Sequence, residues 1–173
     1  VTTEFVGNCG MSFCGPLTGS AREDLDTRLA WYDTNWRPSW TSFAGYMDAL
    51  DRAPKPLNVV TQVGHGTVRK AVLGMDTRAP DSGELKRMQS LVAEALEAGA
   101  LGFSSGLSMA PGVYSLTPEV IALAAEAGRR GRLYSTHARA SGDEGAGLFV
   151  ALEEAQEIGR RPGAKVHVSH LKC

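Results

Sequence analysis

The chain has 173 residues, and its 18 Lys plus Arg against 19 Asp plus Glu leave a formal net charge of -1 at pH 7. Its 43% hydrophobic and 21% charged residues are typical of an ordinary soluble protein. The near-neutral charge argues against nucleic acid as a partner, and no apolar run approaches the roughly 20 residues that a membrane-spanning helix needs.

The cysteine content favours a reducing compartment. The chain has three cysteines, Cys9, Cys14 and Cys173, which cannot form a complete set of disulfides within the chain. Because disulfides are rare in the cytosol, unpaired thiols are typical of proteins there. We therefore expect a cytoplasmic location.

Short buried strands and helices are predicted to alternate along the chain. The strands are predicted at residues 2–7, 57–63, 101–105, 132–136 and 165–169. The first helical pattern, at residues 40–50, spaces four apolar side chains at the helical period: Trp40, Phe43, Met47 and Leu50. This alternation is typical of βαβ units in a parallel sheet, so the predicted fold class is α/β.

Three further helices have start signals or a helical period. Asp81 followed by Glu84 predicts a capping box at the start of the clearest helix. Thr117 followed by Pro118 predicts a cap and a proline at the first helical position. The last helix is predicted at about residues 147–158.

Potentially catalytic side chains follow the predicted strands. In parallel sheets the carboxyl ends of the strands meet at one edge, where α/β folds place their active sites. Three of the four histidines lie at these strand ends, and the fourth, His167, lies inside the last strand. The strand-end histidines are His65, His137 and His170.

Cys9, His137 and His170 are candidate zinc ligands. Each follows or ends a different predicted strand, and thiolate sulfur and imidazole nitrogen are ligands that zinc prefers. Three protein ligands with one open position are typical of a catalytic zinc site. The alternative is that Cys9 is a small buried side chain and that the histidines only form hydrogen bonds.

Two nearby residues are not assigned to this group. By strand alternation His167 faces away from His170, so we expect it to stay outside a metal site. Cys14 lies on the loop beyond the first strand and is expected to pack.

Four residues are candidates for substrate binding. His65 lies in a glycine-flanked turn that could present backbone amides to a ligand, although a purely structural turn is an equal alternative. Ser105 lies at a strand end without a nucleophile-elbow motif, and it either contacts substrate or satisfies backbone groups. Arg139 and Lys172 could bind a carboxylate, or they could be solvated charges.

A cluster of tryptophans lies between the first two strands. We expect these side chains to pack in the core or in an interface; they are Trp31, Trp36 and Trp40.

Five motifs occur in an order that resembles a known family. They are Val6-Gly7-Asn8-Cys9-Gly10, Gly64-His65-Gly66-Thr67-Val68-Arg69, Gly102-Phe103-Ser104-Ser105-Gly106-Leu107, Ser135-Thr136-His137-Ala138-Arg139 and Val168-Ser169-His170-Leu171-Lys172. Together they resemble the D-aminoacylase, or N-acyl-D-amino-acid deacylase, branch of the amidohydrolase superfamily, over essentially the whole chain. The resemblance implies a metal-dependent (β/α)8 TIM barrel, with the five strands as about the second to the sixth of eight.

The resemblance also implies roles for particular residues. Cys9 matches a cysteine metal ligand of that branch, and His137 and His170 match two of its histidine ligands, with Zn²⁺ as the implied cofactor. Lys172 matches a lysine implicated in substrate binding, and Arg139 a strand-end arginine. The chain departs from the branch at Met109, where an aromatic residue is common, which leaves the acyl or side-chain preference open.

Residues 1–173 are therefore expected to form a partial amidohydrolase barrel. The His-x-His pair of the family is expected before Val1 and its catalytic aspartate after Cys173, so we assign no catalytic acid or base within the chain. Alone, the chain is expected to be inactive.

The implied function is zinc-dependent hydrolysis of the amide bond of small N-acyl-D-amino acids. Two alternatives remain: a cyclic amide hydrolase of the hydantoinase or dihydroorotase kind, and a non-catalytic, metal-binding barrel segment. The preferred D-amino acid, the number of metal ions and the oligomeric state do not follow from the sequence.

Overall fold

The computed structural model describes residues 1–32, 36–139 and 146–171, in which strands and helices alternate. In chain order the elements are β1 (Thr3–Val6), α1 (Ser20–Trp31), α2 (Phe43–Arg52), β2 (Asn58–Gly64), α3 (His65–Leu73), α4 (Ser82–Glu97), β3 (Gly102–Gly106), a 3-10 turn (Gly112–Tyr114), α5 (Thr117–Arg129), β4 (Leu133–His137), α6 (Ala146–Arg160) and β5 (Lys165–Val168).

The strands of these residues form one sheet in the order β1-β2-β3-β4-β5, and each neighbouring pair is parallel. Every strand lies within one residue of its predicted position, so the prediction of a parallel sheet with alternating helices is confirmed. The register places Ser104 beside Ser135, and Ser135 beside His167. Paired neighbours share a face, so these side chains lie on one side of the sheet.

The helices cover the other side of the sheet and enclose the core there. Val63, Phe103 and Tyr134 are fully buried on this side, and the Phe103 and Tyr134 rings stack with centroids 6.0 Å apart. Apolar helix residues complete the cluster, among them Val68, Met88, Val92, Leu96, Val120, Leu123 and Ile158. Each such side chain contributes about 1.5–3 kcal/mol by burial, which makes this layer the main source of stability.

The predicted helix starts are confirmed in part. The Asp81 carboxylate accepts bonds from the Gly83 and Glu84 amides, and the Glu84 side chain accepts from the Asp81 amide, so the capping box forms as predicted. The prediction for Thr117 is wrong, because Leu116 occupies the cap position and the Thr117 hydroxyl donates to Glu154 instead.

Two helices, α1 and α3, are not predicted from the sequence. Many residues of α1 are charged and form ion pairs along the helix, such as Arg22–Asp26 and Arg28–Asp24. The helical spacing of its few apolar residues is therefore difficult to recognise in the sequence. The glycine-flanked turn predicted after β2 is wrong, because His65 begins α3 directly.

The expectation for the tryptophans also needs correction. Trp31 and Trp36 are 75% and 54% exposed in the described residues, so they do not belong to the core of this chain, and their packing in an interface stays a prediction. Trp40 is half-buried, with its ring centroid 5.3 Å from that of Tyr46. No helix in the described ranges has the length and apolar character required to cross a membrane.

A buried charge cluster joins α3 to α5. Glu119 bonds to His65 Nε2 at 2.9 Å and to an Arg69 guanidinium nitrogen at 2.6 Å, and all three residues are buried. Burial raises the pKa of Glu119, but the hydrogen bonds and charges of His65 and Arg69 outweigh it and hold the pKa below its usual value.

We predict that Glu119→Gln destabilises the protein by about 3–5 kcal/mol, because it leaves the buried Arg69 guanidinium without its counter-charge. Urea unfolding measures the change, with Glu157→Gln, which removes an exposed pair with Arg161, as the matched control. The control is expected to change stability by less than about 1 kcal/mol.

The effect of Glu119→Gln on stability should depend on pH. Because the folded-state pKa of Glu119 is lowered, its stabilisation is complete above the usual carboxyl pKa of about 4.3 and is lost as the pH falls through the folded-state pKa. The stability difference between wild type and Glu119→Gln should therefore shrink on acidification. A difference that grows would contradict this assignment.

Candidate metal centre

Cys9, His137 and His170 meet at the carboxyl edge of the sheet. Cys9 follows β1, His137 is the last residue of β4, and His170 follows β5. The Cys9 Sγ lies 3.3 Å from His170 Nε2, which lies 2.7 Å from His137 Nδ1. The ligand atoms of the three all lie within 4.8 Å of one another, and among the described residues this is the group of histidine, cysteine and carboxylate side chains that could hold a metal.

The donor set and spacing fit a zinc ion. Zinc–sulfur bonds of about 2.3 Å and zinc–nitrogen bonds of about 2.0–2.1 Å place tetrahedral ligand atoms roughly 3.3–3.6 Å apart. The sulfur–nitrogen distance is about 0.2 Å shorter than this geometry requires, and the two ring nitrogens need to separate by about 0.6 Å. Burial raises the pKa of the Cys9 thiol, and a bound cation opposes that effect by stabilising the thiolate.

Two of these residues have a left-handed backbone. Cys9 has φ 57° and His170 has φ 35°, and they are the non-glycine residues with positive φ in the described part of the chain. Such conformations cost about 1–3 kcal/mol each and are concentrated at functional sites. Their coincidence with the candidate ligands is an independent sign that the site is functional.

His167 lies on a different face of the sheet from the one that strand alternation suggested. His167 is outside the metal group, as expected. However, it pairs with Ser135 on the face away from the helices, so it does not point to the helix side. Strand alternation does not extend to His170, because its left-handed backbone interrupts the strand. His167 therefore lies outside the metal group because of its position within β5, and not because it faces the helices.

Glycines allow the Cys9 turn to lie against the strand ends. A Cβ on Gly106 would lie 2.1 Å from the Cys9 carbonyl oxygen, and one on Gly64 would lie 2.5 Å from the Gly10 carbonyl oxygen. Met109 also lies beside Gly106: its methyl carbon is 3.4 Å from the point that a Cβ on Gly106 would occupy. The residue that departs from the branch pattern is thus a neighbour of the candidate metal centre.

The structure does not place His65 or Ser105 at an open surface of the site. His65 is fully buried against Glu119, and its Nδ1 has no hydrogen-bond partner in the described residues. The Ser105 hydroxyl is buried on the helix side, 2.8 Å from both the Tyr134 and Thr136 hydroxyl oxygens. These contacts favour structural roles, and substrate binding by either residue stays a prediction.

The two candidate carboxylate binders differ in what the structure describes. The Arg139 guanidinium is paired with Glu154 at 2.9 Å and also donates to the Ser115 carbonyl oxygen, so its charge is already compensated. Lys172 lies outside the described residues. Both roles stay predictions.

Three polar residues support the Cys9 turn; of these the sequence suggested only that Ser104 satisfies backbone groups or contacts substrate, and it did not indicate Gln62 or Ser135. Ser104, Gln62 and Ser135 lie on the face away from the helices, and Ser104 and Gln62 bond to residues 7–10. Strand alternation could have separated Ser104 from Ser105, because the apolar Phe103 identifies the helix side on which Ser105 also lies.

Comparisons with known proteins identify deacylases as relatives. In Alcaligenes xylosoxydans xylosoxydans, an N-acyl-D-glutamate deacylase is 36% identical over 174 residues and a D-aminoacylase is 37% identical over 172 residues. An N-acyl-D-aspartate deacylase of the same organism is 38% identical over 176 residues. The matches cover 99–100% of this chain and 33–34% of the relatives, so the chain spans about a third of their length. No family model matches the chain.

Solved structures give the same result. The N-acyl-D-glutamate deacylase of Bordetella bronchiseptica, complexed with zinc and a phosphonate mimic of the tetrahedral intermediate, is 37% identical with a TM-score of 0.82. A D-aminoacylase structure that defines a subset of amidohydrolases is 32% identical with the same TM-score of 0.82. Each match covers 99–100% of this chain and 35% of the solved chain. The resemblance is confirmed, and so is the fold class of parallel strands with alternating helices that match part of an amidohydrolase barrel; the assignment of residues 1–173 as one partial catalytic domain stays a prediction.

The two described cysteines are predicted to differ in reactivity. Cys14 is 3% exposed, packs in the core and lies 2.8 Å from the Thr61 hydroxyl, and burial raises its pKa to about 11. In native, metal-free protein at pH 8, iodoacetamide should therefore modify the half-buried Cys9 and leave Cys14 unmodified. Peptide mass spectrometry measures the labelling, and the urea-unfolded chain, in which both should react, is the control. Faster labelling of Cys14 would contradict the packing described here.

Proposed function

We propose that the protein is a zinc-dependent amidohydrolase that cleaves N-acyl-D-amino acids into a carboxylic acid and a D-amino acid. The observation that carries this proposal is the convergence of Cys9, His137 and His170 at one edge of a sheet that matches deacylase structures. The relatives act on N-acyl-D-glutamate and N-acyl-D-aspartate by their names, which suggests an N-acylated D-amino acid as the substrate class.

The three side chains would hold the ion and leave one position open toward the sheet edge. When bound there, zinc supplies the Lewis acidity that lowers the pKa of a water molecule and polarises an amide carbonyl. Cys9 contributes a negative charge and the histidines contribute neutral nitrogens. The left-handed backbone at Cys9 and His170 fixes the direction from which each ligand approaches.

The substrate carboxylate needs a cation on the protein. Lys172 follows the His170 ligand by two residues, so we propose that it anchors the carboxylate and thereby orients the amide. Arg139 is a weaker candidate, because Glu154 would have to release it.

No carboxylate joins the three ligands within the described ranges. From the resemblance to the deacylase branch, we propose that the general base, which would accept the proton of the water and pass it to the leaving amine, comes from a part of the protein outside this chain. This agrees with relatives about three times as long.

The alternatives make different predictions. Cyclic amide hydrolases commonly bridge two metals with a carboxylated lysine, whereas Cys9 stands in the ligand group here. A panel of N-acetyl-D-methionine, N-acetyl-D-glutamate, N-acetyl-D-aspartate and hydantoins, given to the full-length protein, distinguishes them. Turnover of hydantoins alone favours the cyclic amide class, and no turnover of any substrate favours a non-catalytic barrel.

The proposal includes a cellular location and a type of binding partner. The free thiols of Cys9 and Cys14 support a reducing compartment, for which we propose the cytoplasm. The near-neutral charge supports a small-molecule substrate rather than a nucleic acid.

Zinc content tests the ligand assignment. In the full-length protein, Cys9→Ala, His137→Ala and His170→Ala should each lose tightly bound zinc and activity, because two remaining ligands cannot form the three-ligand site. His167→Ala, a histidine outside the group, is the matched control and should keep its zinc. Metal analysis after dialysis measures the content, and full retention of zinc by Cys9→Ala would refute the assignment.

The 173-residue chain alone is predicted to show little or no deacylase turnover, because the resemblance to the deacylase branch places the catalytic aspartate outside it. An assay on N-acetyl-D-glutamate with added zinc tests this, with the full-length protein as the positive control. Activity of the short chain would place the base within it.

A further inference from the structure

We propose that Ser104 is a positioning residue for the Cys9 ligand: its buried hydroxyl clamps the turn that presents the thiolate to the metal. This inference rests on the proposed metal site. It concerns a residue whose side-chain hydroxyl bonds to the backbone on either side of Cys9, at Gly7 and Gly10.

The hydroxyl of Ser104 spans the turn from one side to the other. It donates to the Gly7 carbonyl oxygen at 2.5 Å and accepts from the Gly10 amide at 3.2 Å. Ser104 is fully buried, so no exposed water competes for these two bonds. One side chain thus fixes the residue two before Cys9 and the residue after it.

The turn needs such a clamp because its backbone is unfavourable. Gly7, Cys9 and Gly10 have φ values of 84°, 57° and 73°, so three of four consecutive residues lie in the left-handed region. Glycine adopts that region readily, but a residue with a Cβ does not. Without external bonds Cys9 would relax toward a right-handed or extended backbone, and its Sγ would leave the position 3.3 Å from His170 Nε2.

Neighbouring bonds fix other points of the turn. The Gly10 carbonyl oxygen accepts from the Thr67 amide at 3.2 Å, and the Asn8 side chain accepts from Gln62 at 3.0 Å. Neither of them replaces the bonds to the Gly7 carbonyl and the Gly10 amide. Substitution of Ser104 by alanine therefore frees both ends of the turn while α3 and β2 keep their contacts to it.

Metal affinity of the full-length protein tests the proposal. Zinc binding is measured by competition with a chelator, and Co²⁺ binding by the sulfur-to-cobalt charge-transfer absorption, which reports a cobalt–thiolate bond. Ser104→Ala should bind zinc about 10–100-fold more weakly, as is typical when a residue that orients a ligand is lost, and its charge-transfer band should weaken.

The matched control is Ser115→Ala. Ser115 is also a buried serine whose hydroxyl donates to a backbone carbonyl, but that carbonyl belongs to Gly112 and not to the turn at residues 7–10. Its zinc affinity should stay within about threefold of wild type. Thermal unfolding of the metal-free variants shows whether both fold to a similar extent.

A double-mutant cycle separates positioning of Cys9 from a general loss of structure. In a Cys9→Ala background, Ser104→Ala should change the residual metal affinity by less than about threefold, because the ligand that Ser104 positions is gone. If Ser104→Ala fails to fold, Ser104→Thr and Ser104→Val replace it in the test. Threonine and valine have the same shape, and only threonine has the hydroxyl group. The threonine variant should bind zinc more tightly than the valine variant.

The outcomes separate the two proposals. If wild type shows neither tight zinc binding nor a charge-transfer band, the proposed metal site fails and this inference fails with it. If wild type shows both and Ser104→Ala matches it, or if the effect persists in the Cys9→Ala background, the metal site stands and the role of Ser104 is refuted.

Discussion

The candidate metal centre depends on curvature of the sheet. In the described residues β1 and β5 are the outer strands of the order β1-β2-β3-β4-β5, so four strand spacings separate them. At about 4.8 Å per spacing, the outer strands of a flat sheet would lie roughly 19 Å apart. Yet the Cys9 Sγ, which follows β1, lies 3.3 Å from His170 Nε2, which follows β5. Ligands from the two outer strands meet because the sheet bends as it would in a barrel.

The amino acids on the two faces suit that curvature. On the helix side Val63, Phe103 and Tyr134 are bulky and bury apolar area against the helices. On the other side the described strands place Ser104 and Ser135, whose side chains are small and whose hydroxyls form hydrogen bonds across the sheet. At β3 and β4 the small serines on the concave face and the large aromatic side chains on the convex face suit a sheet that bends toward the serines. The residues that support the Cys9 turn are thus also those that permit the curvature.

The sequence predicted what local patterns control and missed what depends on tertiary contacts. The strands and the Asp81 capping box follow from short-range signals, and the ligand set followed from the rule that parallel strands end at one edge. The start of α3 was mistaken for a turn because Gly64 and Gly66 are turn signals, whereas their small size serves close contact with Gly10. The roles of Ser104 and Ser105 required knowledge of which face meets the helices, which alternation gives only once one neighbour is known to be buried.

The turn that contains Cys9 and the buried charge cluster of Glu119, His65 and Arg69 are connected through α3. Glu119 holds His65 and Arg69, which lie in the first turns of α3, and the Thr67 amide of the same turns donates to the Gly10 carbonyl oxygen. A buried ion cluster is weak evidence for stability, but it restricts the groups that it joins to one arrangement. The contact between Thr67 and Gly10 connects this cluster to the turn that contains the unfavourable backbone of Cys9. A turn held in this way restricts the directions from which the Cys9 sulfur can approach an ion, which favours geometrically selective binding.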